Sequence, residues 1–543
     1  MDSRQPNERP PRSDGEGSAS TLAPPHTIGG IVRWLGPGMI LAAAIVGSGE
    51  LIATTKTGAQ AGFYLLWLII VGCVIKVFAQ VEFGRYAISS GKGAMSAMNE
   101  VPGPRWRVNW LLWYWLVMFV VSLGQLGGIV GGVGQALAMN APIDGSFNRL
   151  LDAQDAWDAE AGPLRRQLRA TEAAALSDGE LQVRAAALER IERGVESRLG
   201  PRPDWRSGPR PYWTDDVFWS ALVTLATVAV LLVGRYSAIE RLSTFMVAVF
   251  TAVTVFTVFA LQYHAEWAVQ WSDLREGLSF RLPPALEGLS QWAPLATALA
   301  TFGIIGVGTN ELITYPYWCL EKGYARFTGP RDDTPEWVER AHGWLRVMRC
   351  DAMASMLVYT FATIAFYLLG AAVLHRQNLD PAGNEMIRTL GEMYVPVFGA
   401  WAKWLFLFGA FAVLYSTFFV ATAGHTRVAA DAVRVFGAGA RTGATRRWWT
   451  LLFCVAFPLF ALATNVLIRY PDRLVLASGV MQAIMLPMLA GATLYYRYRV
   501  CDRRILPGRL WDVMLWLSAA GMLVAGGWIA ATQLVDLVRL VVG

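Results

Sequence analysis

The sequence predicts an all-α integral membrane protein with about 11 transmembrane helices. Hydrophobic residues make up 54% of the 543 residues and charged residues only 16%, a balance that is too apolar for a soluble chain. The mean hydropathy is correspondingly positive, at +0.37. Apolar segments of roughly 20 residues, the length that a helix needs to cross a bilayer, recur along the chain. Two of them are interrupted by glycines and then carry Glu-Leu-Ile, within residues 47–52 and 306–313.

The chain divides into a tail, a membrane domain and an insertion. Residues 1–26 are rich in Pro, Ser, Arg, Asp and Gly and lack apolar periodicity, which predicts a disordered cytoplasmic tail. Residues 27–139 and 213–543 are expected to form the membrane domain. Its predicted spans are 35–58, 62–83, 109–138, 214–233, 240–262, 292–320, 349–373, 398–422, 449–467, 473–495 and 510–533.

Residues 140–212, between the third and fourth spans, form a polar insertion rich in Ala, Glu, Arg and Leu. Helical stretches are predicted at 163–176 and 178–199. Because long loops escape the positive-inside rule, the arginines of the insertion are compatible with an external position. We expect it to decorate the outer face, with a partner-binding or gating element as the alternative.

The distribution of basic residues sets the expected orientation. Most of the arginines in short loops fall on the side that also holds the N-terminus, which predicts that this side faces the cytoplasm. The expected location is the inner membrane of the cell. An odd number of spans then puts the C-terminus outside. We interpret the net charge of +6 as a signal of topology, so the expected partner is the lipid bilayer and not nucleic acid.

Several function classes are excluded by what the sequence does not contain. The five cysteines show no paired metal-ligand spacing. No phosphate-binding loop of the Gly-x-x-x-x-Gly-Lys-Ser/Thr type is present, and no catalytic constellation stands out. We therefore expect neither an ATP-driven pump nor an enzyme, and no cofactor.

The two glycine-interrupted segments predict a site in the middle of the membrane. A carboxylate at bilayer depth is costly and is rarely there without a function, and glycine allows the chain to leave helical geometry so that backbone groups line a cavity. Interrupted spans in matching positions of two halves typically form the binding site of a transporter. The candidate binding residues are Gly47, Ser48, Glu50, Gly308, Thr309, Asn310 and Glu311.

The first span also carries motifs of a known family. It opens with Gly36-Pro37-Gly38 and closes with Gly58-Ala59-Gln60-Ala61-Gly62-Phe63, and with this spacing it resembles the Nramp family of divalent-metal transporters. The resemblance implies a LeuT-type inverted repeat, in which spans one to five are related to spans six to ten and the first and sixth helices are discontinuous around a midplane site.

The metal ligands that the resemblance implies, an Asp, an Asn and a Met, are absent here. The family places Asp-Pro-Gly-Asn at 47–50 and Met-Pro-His-Asn at 308–311, so Gly47 and Gly308 stand where the family has its Asp and its Met. Glu50, Glu311, Asn310 and Thr309 would instead form an all-oxygen ligand set, which suits a hard cation such as Mg²⁺ or Mn²⁺ as the transported substrate. Protons on the two carboxyl groups are a further reading of the same residues.

Four polar residues are candidates for proton transfer or for supporting the site: Gln125, Gln482, Lys76 and His425. The family uses acidic residues of its third helix for proton coupling, but the third span here contains no Asp or Glu. A proton relay would therefore lack carboxyl groups in this span. We expect Lys76 to snorkel or to form an ion pair, and His425 to hydrogen-bond at the membrane interface.

Three functional hypotheses remain open at the level of sequence. The first is a secondary transporter of a divalent metal ion. The second is a transporter of a non-metal solute, such as an amino acid or another small ion, on the same fold. The third is a membrane sensor that has lost transport, in which the 140–212 insertion would be the working part.

Overall fold

The computed structural model describes residues 21–171, 193–194, 197, 200, 202–203, 213–233, 236–283, 292–437 and 443–542. Within these ranges, 11 helices are long and apolar enough to cross a membrane, which confirms the expected number. Numbered 1 to 11, these spans are Pro37–Ala61, Leu66–Ser90, Trp110–Asn140, Asp215–Val233, Phe245–Tyr263, Pro294–Lys322, Pro335–His375, Gly383–Val435, Thr445–Ile468, Pro471–Val500 and Arg509–Val535.

The spans and their connections are built mostly of α-helices. Their bounds are Ile28–Trp34, Pro37–Ile45, Thr55–Ala61, Leu66–Ser90, Ala94–Glu100, Trp110–Asn140, Ser146–Thr171, Asp215–Val233, Tyr236–Ala260, Trp271–Gly277, Trp292–Ile304, Thr309–Lys322, Tyr324–Thr328, Pro335–Leu369, Met386–Gly391, Val395–Phe398, Ala402–Val435, Gly443–Ile468, Pro471–Tyr495 and Arg509–Val542. π-helical segments cover Ser48–Thr54, Gly370–His375 and Tyr496–Val500. Short 3₁₀ turns cover Leu261–Tyr263, Gly383–Glu385, Glu392–Tyr394, Gly399–Trp401 and Arg503–Ile505.

One small hairpin departs from the all-α expectation. Strands Arg105–Trp106 and Val108–Asn109 pair antiparallel in the connection between spans 2 and 3. Span 7 also begins earlier than predicted, because Thr334 caps a helix that runs from Pro335 without interruption into the membrane. The hairpin and the longer helix both lie at span ends and leave the arrangement of the membrane helices unchanged.

Spans 1 and 6 are both broken, as the glycine pattern predicts. In span 1 an α-helix ends at Ile45, a turn follows, and a π-helix begins at Ser48. In span 6 the first helix ends at Ile304, Gly306 adopts a φ of +54° that favours glycine, and the second helix begins at Thr309. Irregular backbone at this depth is tolerated because protein encloses it on every side.

Span 1 is held at both ends by buried polar groups. At its start, the Asp351 carboxylate of span 7 accepts hydrogen bonds from the backbone N–H groups of Gly36 (2.8 Å) and Gly38 (2.5 Å) and so caps the helix. At its other end, the Lys56 ammonium lies 3.0 Å from Asp380 and 3.4 Å from Asp472. These contacts fix the position of the break between them.

The insertion is attached to the start of span 8. Its first helix, Ser146–Thr171, starts earlier than the predicted stretch at 163–176, of which residues 172–176 lie outside the described residues. The predicted stretch at 178–199 lies almost entirely outside them. Arg388 at the start of span 8 makes a two-pronged contact with Asp155 of the insertion helix at 2.5 and 2.6 Å, and Arg202 bridges Asp158 and Glu385.

Candidate functional site

A small cavity lies between the breaks of spans 1 and 6. Its volume is about 20 Å³, which is enough for one water molecule or one bare ion. Spans 1, 3, 6 and 8 all contribute to its wall. The lining residues are Ala44, Ile45, Ser48, Gly49, Gln125, Leu126, Ile129, Ile304, Asn310, Glu311, Thr417, Ala421 and His425.

Glu311 is the carboxylate that faces this cavity. It lies in the first turn of the second half of span 6, where the helix N-terminus favours negative charge. A Cβ atom added to Gly308 would collide with Oε2 of Glu311. The carboxylate therefore occupies the space that a side chain at position 308 would need. A methionine at position 308, as in the family, would not fit together with Glu311 in this position.

Glu50 lies behind the cavity wall and does not line it. The side chain is fully buried, and its Oε1 accepts hydrogen bonds from the backbone N–H of Gly306 (3.2 Å) and the hydroxyl of Thr363 (3.0 Å). Its Oε2 has no hydrogen-bond partner among the described residues. Glu50 thus ties the break of span 1 to the break of span 6 and to span 7. The sequence placed both acids near one centre, but only Glu311 is presented to an occupant of the cavity.

Thr417 of span 8 fills the space at Gly47. Its hydroxyl donates to the carbonyl of Ala44 at 2.9 Å, and a Cβ atom at Gly47 would lie 2.5 Å from the Cβ of Thr417. An aspartate at position 47, as in the family, does not fit beside this threonine. Thr417 belongs to a run of hydroxyl and small residues in span 8, but its contact with Gly47 joins positions 370 residues apart and has no local signature.

A chain of amide and hydroxyl groups connects four spans around the cavity. Gln125 of span 3 donates to Ser48 at 3.0 Å and accepts from Ser478 at 2.8 Å and from Gln482 at 3.0 Å. Gln482 in turn accepts from the backbone N–H of Asn310 at 3.2 Å. These uncharged groups fix Ser48 and the start of the second half-helix at the cavity.

Thr309 contributes to the same framework. Its hydroxyl donates to the carbonyl of Gln482 at 2.8 Å, and the residue does not line the cavity. Of the four residues predicted as ligands, Asn310 and Glu311 face the cavity, whereas Thr309 and Glu50 lie outside its wall.

Lys76 is buried, so the expectation that it snorkels to the membrane surface is wrong. Its ammonium donates to the carbonyls of Phe302 (2.7 Å) and Ile305 (2.5 Å), at the end of the first half of span 6. A cation is favourable at a helix C-terminus, where carbonyl groups lack partners. Lys76 therefore stabilises the break of span 6, directly before Gly306, whose backbone N–H donates to Glu50.

His425 lines the cavity, which corrects the expectation of an interfacial position. Only 5% of the residue is exposed, and Nδ1 has no hydrogen-bond partner among the described residues. The ring packs edge-to-face on Phe119, with ring centroids 5.2 Å apart. A histidine at bilayer depth is a visible signal in the sequence, but its direction depends on the helix packing.

The cavity therefore presents one carboxylate, two amides, two hydroxyls and one imidazole to its occupant. In the described part of the chain, no three His, Cys, Asp or Glu side chains cluster in a way that could hold a metal ion.

Comparison with known proteins places this geometry in context. A sequence model described as natural resistance-associated macrophage protein-like (Nramp) matches residues 38–146 and 214–532. Metal transporter Nramp3.2 of Populus trichocarpa is 27% identical over 134 residues, which is 24% of this chain and 25% of that protein. Divalent metal cation transporter MntH of Caldanaerobacter subterraneus subsp. tengcongensis is 27% identical over 103 residues, 18% of this chain and 24% of that protein.

The alignments therefore span about a quarter of the length of these curated relatives. A mutant of the Eremococcus coleocola manganese transporter has a similar structure, with a TM-score of 0.59 and 14% sequence identity. That match covers 93% of this chain and 88% of the other. It confirms the expected fold, a LeuT-type inverted repeat with discontinuous first and sixth helices.

Proposed function

The chain belongs to the natural resistance-associated macrophage protein-like (Nramp) family, and from this premise we propose that it moves a divalent metal ion across the membrane by alternating access. The observation that carries the proposal is the position of Glu311 at the helix break, facing a cavity of about 20 Å³. Glu311 is only partly buried, but a carboxylate within a membrane span is costly unless a cation or a proton balances it. A divalent cation supplies that balance and fits the volume.

The proposed ligands are the oxygen atoms that face the cavity. Glu311 would provide the charge, and Asn310, Ser48 and Thr417 would provide neutral oxygen atoms. Gly308 removes the thioether that the family uses, and soft sulfur is what disfavours Mg²⁺ and Ca²⁺. An oxygen-dominated site is consistent with a hard cation such as Mg²⁺ or Mn²⁺.

Glu50 would serve the same site indirectly. Its hydrogen bonds to Gly306 and Thr363 hold the two breaks together. Together with Lys76 and Glu311 it gives the region a net charge of about −1 when all three groups are ionised. A divalent ion reverses the sign of this charge to +1, which would alter the electrostatic balance at the broken segments and so favour a change of state.

Alternating access requires that the two ends of span 1 are released in turn. The Asp351 cap at the start of the span and the Lys56 contacts at its far end are the two closures in the present state. Under the proposed orientation, with the N-terminus in the cytoplasm and with the C-terminus and the insertion outside, the Asp351 cap closes the inner side and the Lys56 contacts close the outer side of an inner-membrane protein.

The size of the cavity favours an ion over an organic solute. About 20 Å³ admits a single water-sized particle, whereas an amino acid needs several times that volume. Deleting part of the insertion tests whether the chain is instead a sensor that does not transport. Uptake that survives this deletion would exclude the sensor hypothesis.

Uptake into proteoliposomes tests the proposal. We expect the chain to take up Mn²⁺ or Mg²⁺, and Glu311→Gln to remove this uptake because the cavity loses its carboxylate. Glu321→Gln is the matched control, since it changes a half-exposed glutamate at the end of the same helix that pairs with Arg427 at the surface. Uptake that survives Glu311→Gln, or a wild-type chain that takes up no divalent ion, would contradict the proposal.

A further inference from the structure

We propose that His425 is a ligand of the transported cation and that it selects Mn²⁺ over Mg²⁺. This inference rests on the proposed function, because it concerns the occupant of the same cavity. It goes further by naming a nitrogen donor on span 8 and the preference that this donor imposes.

The first support is an unsatisfied polar atom. Buried side-chain nitrogens almost always have a hydrogen-bond partner, and an exception calls for an explanation. His425 is 95% buried, yet its Nδ1 has no partner among the described residues. Because the residue lines the cavity that also holds Glu311, an occupant of that cavity is the available partner.

The second support is the geometry of span 8. Thr417, Ala421 and His425 follow one another at intervals of four residues, so they lie along one face of the helix. All three line the cavity. Ala421 leaves room between the hydroxyl and the imidazole, so that both polar groups reach the same space.

The third support is that the ring is held in place before anything binds. Phe119 of span 3 packs edge-to-face on the imidazole, with an angle of 78° between the rings. Gly424, the preceding residue, packs closely on Thr314 of span 6, because a Cβ atom there would lie 2.7 Å from its Cγ2. A ligand that is already oriented loses little entropy when the ion arrives.

The chemistry of the donor gives the preference. Mg²⁺ takes oxygen ligands in a nearly ideal octahedron and gives up water reluctantly. Imidazole binds the divalent ions of the first transition row in preference to Mg²⁺. Mn²⁺ is bound most weakly of that row, but it still accepts a nitrogen ligand. A site with one carboxylate, amide and hydroxyl oxygens and one imidazole therefore favours Mn²⁺ over Mg²⁺, although the thioether at position 308 is absent.

Electron spin-echo spectroscopy of the full-length protein loaded with Mn²⁺ tests the contact directly. We expect modulation from a coordinated ¹⁴N nucleus, and we expect it to change when the protein carries ¹⁵N-labelled histidine. In His425→Gln the modulation should disappear. His342→Gln is the matched control, since His342 is an exposed residue that contacts the carbonyl of Arg504, and it should keep the signal.

Calorimetry with Mn²⁺ and Mg²⁺ tests the selectivity. We expect His425→Gln to weaken Mn²⁺ binding by at least tenfold and to leave Mg²⁺ binding within about twofold. The spectrum of the wild-type protein guards against a variant that fails to fold. A wild-type spectrum without nitrogen modulation, or an equal loss for both ions in His425→Gln, would overturn this inference alone if Glu311→Gln still removes binding. If wild-type protein binds neither ion, the proposed function fails as well.

Discussion

Gly308 should control the metal site through the position of Glu311. Substitution by alanine adds a Cβ atom that collides with Oε2 of Glu311 and lies 3.1 Å from Oε1 of Gln482. The backbone at this residue, with φ −68° and ψ 173°, accepts any amino acid, so the substitution acts only through the added atom. Since the first obstacle is the end of a flexible side chain, we expect the carboxylate to move and the fold to remain.

The expected size of the effect on metal affinity follows from the displacement of the Glu311 carboxylate. Changes in groups that orient a metal ligand typically lower metal affinity by about 10–100-fold, so we expect a loss of that size for Gly308→Ala. The stability of the protein should fall by less than about 1 kcal/mol, because the closest obstacle is the movable Glu311 side chain and the nearest backbone atom, the carbonyl oxygen of Gly303, lies 3.2 Å from the added Cβ. Calorimetric titration with Mn²⁺ measures the first quantity, and thermal unfolding in detergent measures the second.

Gly303→Ala on the same span is the matched control. There the added Cβ meets backbone instead, the carbonyl of Gly479 and the N–H of Ala483. This variant should lose about 1–3 kcal/mol of stability through overpacking. The reasoning is refuted if Gly308→Ala keeps its affinity within twofold, or if it is destabilised as much as Gly303→Ala.

Three further predictions concern the contacts around the site. Gly47→Ala should cost about 1–3 kcal/mol by overpacking against Thr417, and Thr417→Gly should recover part of this loss in a double-mutant cycle of thermal unfolding; strict additivity would contradict the contact. Lys76→Met should leave two buried carbonyls unpaired and cost roughly 2–5 kcal/mol, which an unchanged melting temperature would exclude. Arg388→Ala should raise hydrogen exchange in the insertion helix and leave exchange in span 1 unchanged. If the insertion helix exchanges equally in this variant and in the wild-type protein, the contact does not hold the helix.

The sequence was sufficient to locate the site but not to assign the roles of its residues. Glycines before Glu-Leu-Ile predicted both helix breaks because glycine has a local backbone effect. The direction of a side chain next to a break depends on the backbone dihedral angles there, and the spacing of residues in the sequence does not specify these angles. Glu50 therefore points behind the cavity wall through a π-helical turn, while Glu311, in a matching motif, points into it.

Other residues were placed by packing between distant parts of the chain. The sequence predicts that Lys76 either snorkels to the membrane surface or forms an ion pair, since a lysine in an apolar helix usually extends towards water or towards an anion. Carbonyls freed by the break of span 6 provide a buried partner instead. His425 and Thr417 reach the cavity only because span 8 packs against span 1 and span 3, and that contact has no local signature in the sequence.

The attachment of the insertion to the start of span 8 has a consequence for observing the protein at work. In the helix Ser146–Thr171, 13 residues follow the attached Asp158, a length of about 20 Å. A rotation of about 10° at the attachment would displace Thr171 by roughly 3 Å, a distance that a pair of spin labels resolves. Antibody fragments raised against this lever would thus report, and on tight binding arrest, a rearrangement that takes place deep in the bilayer.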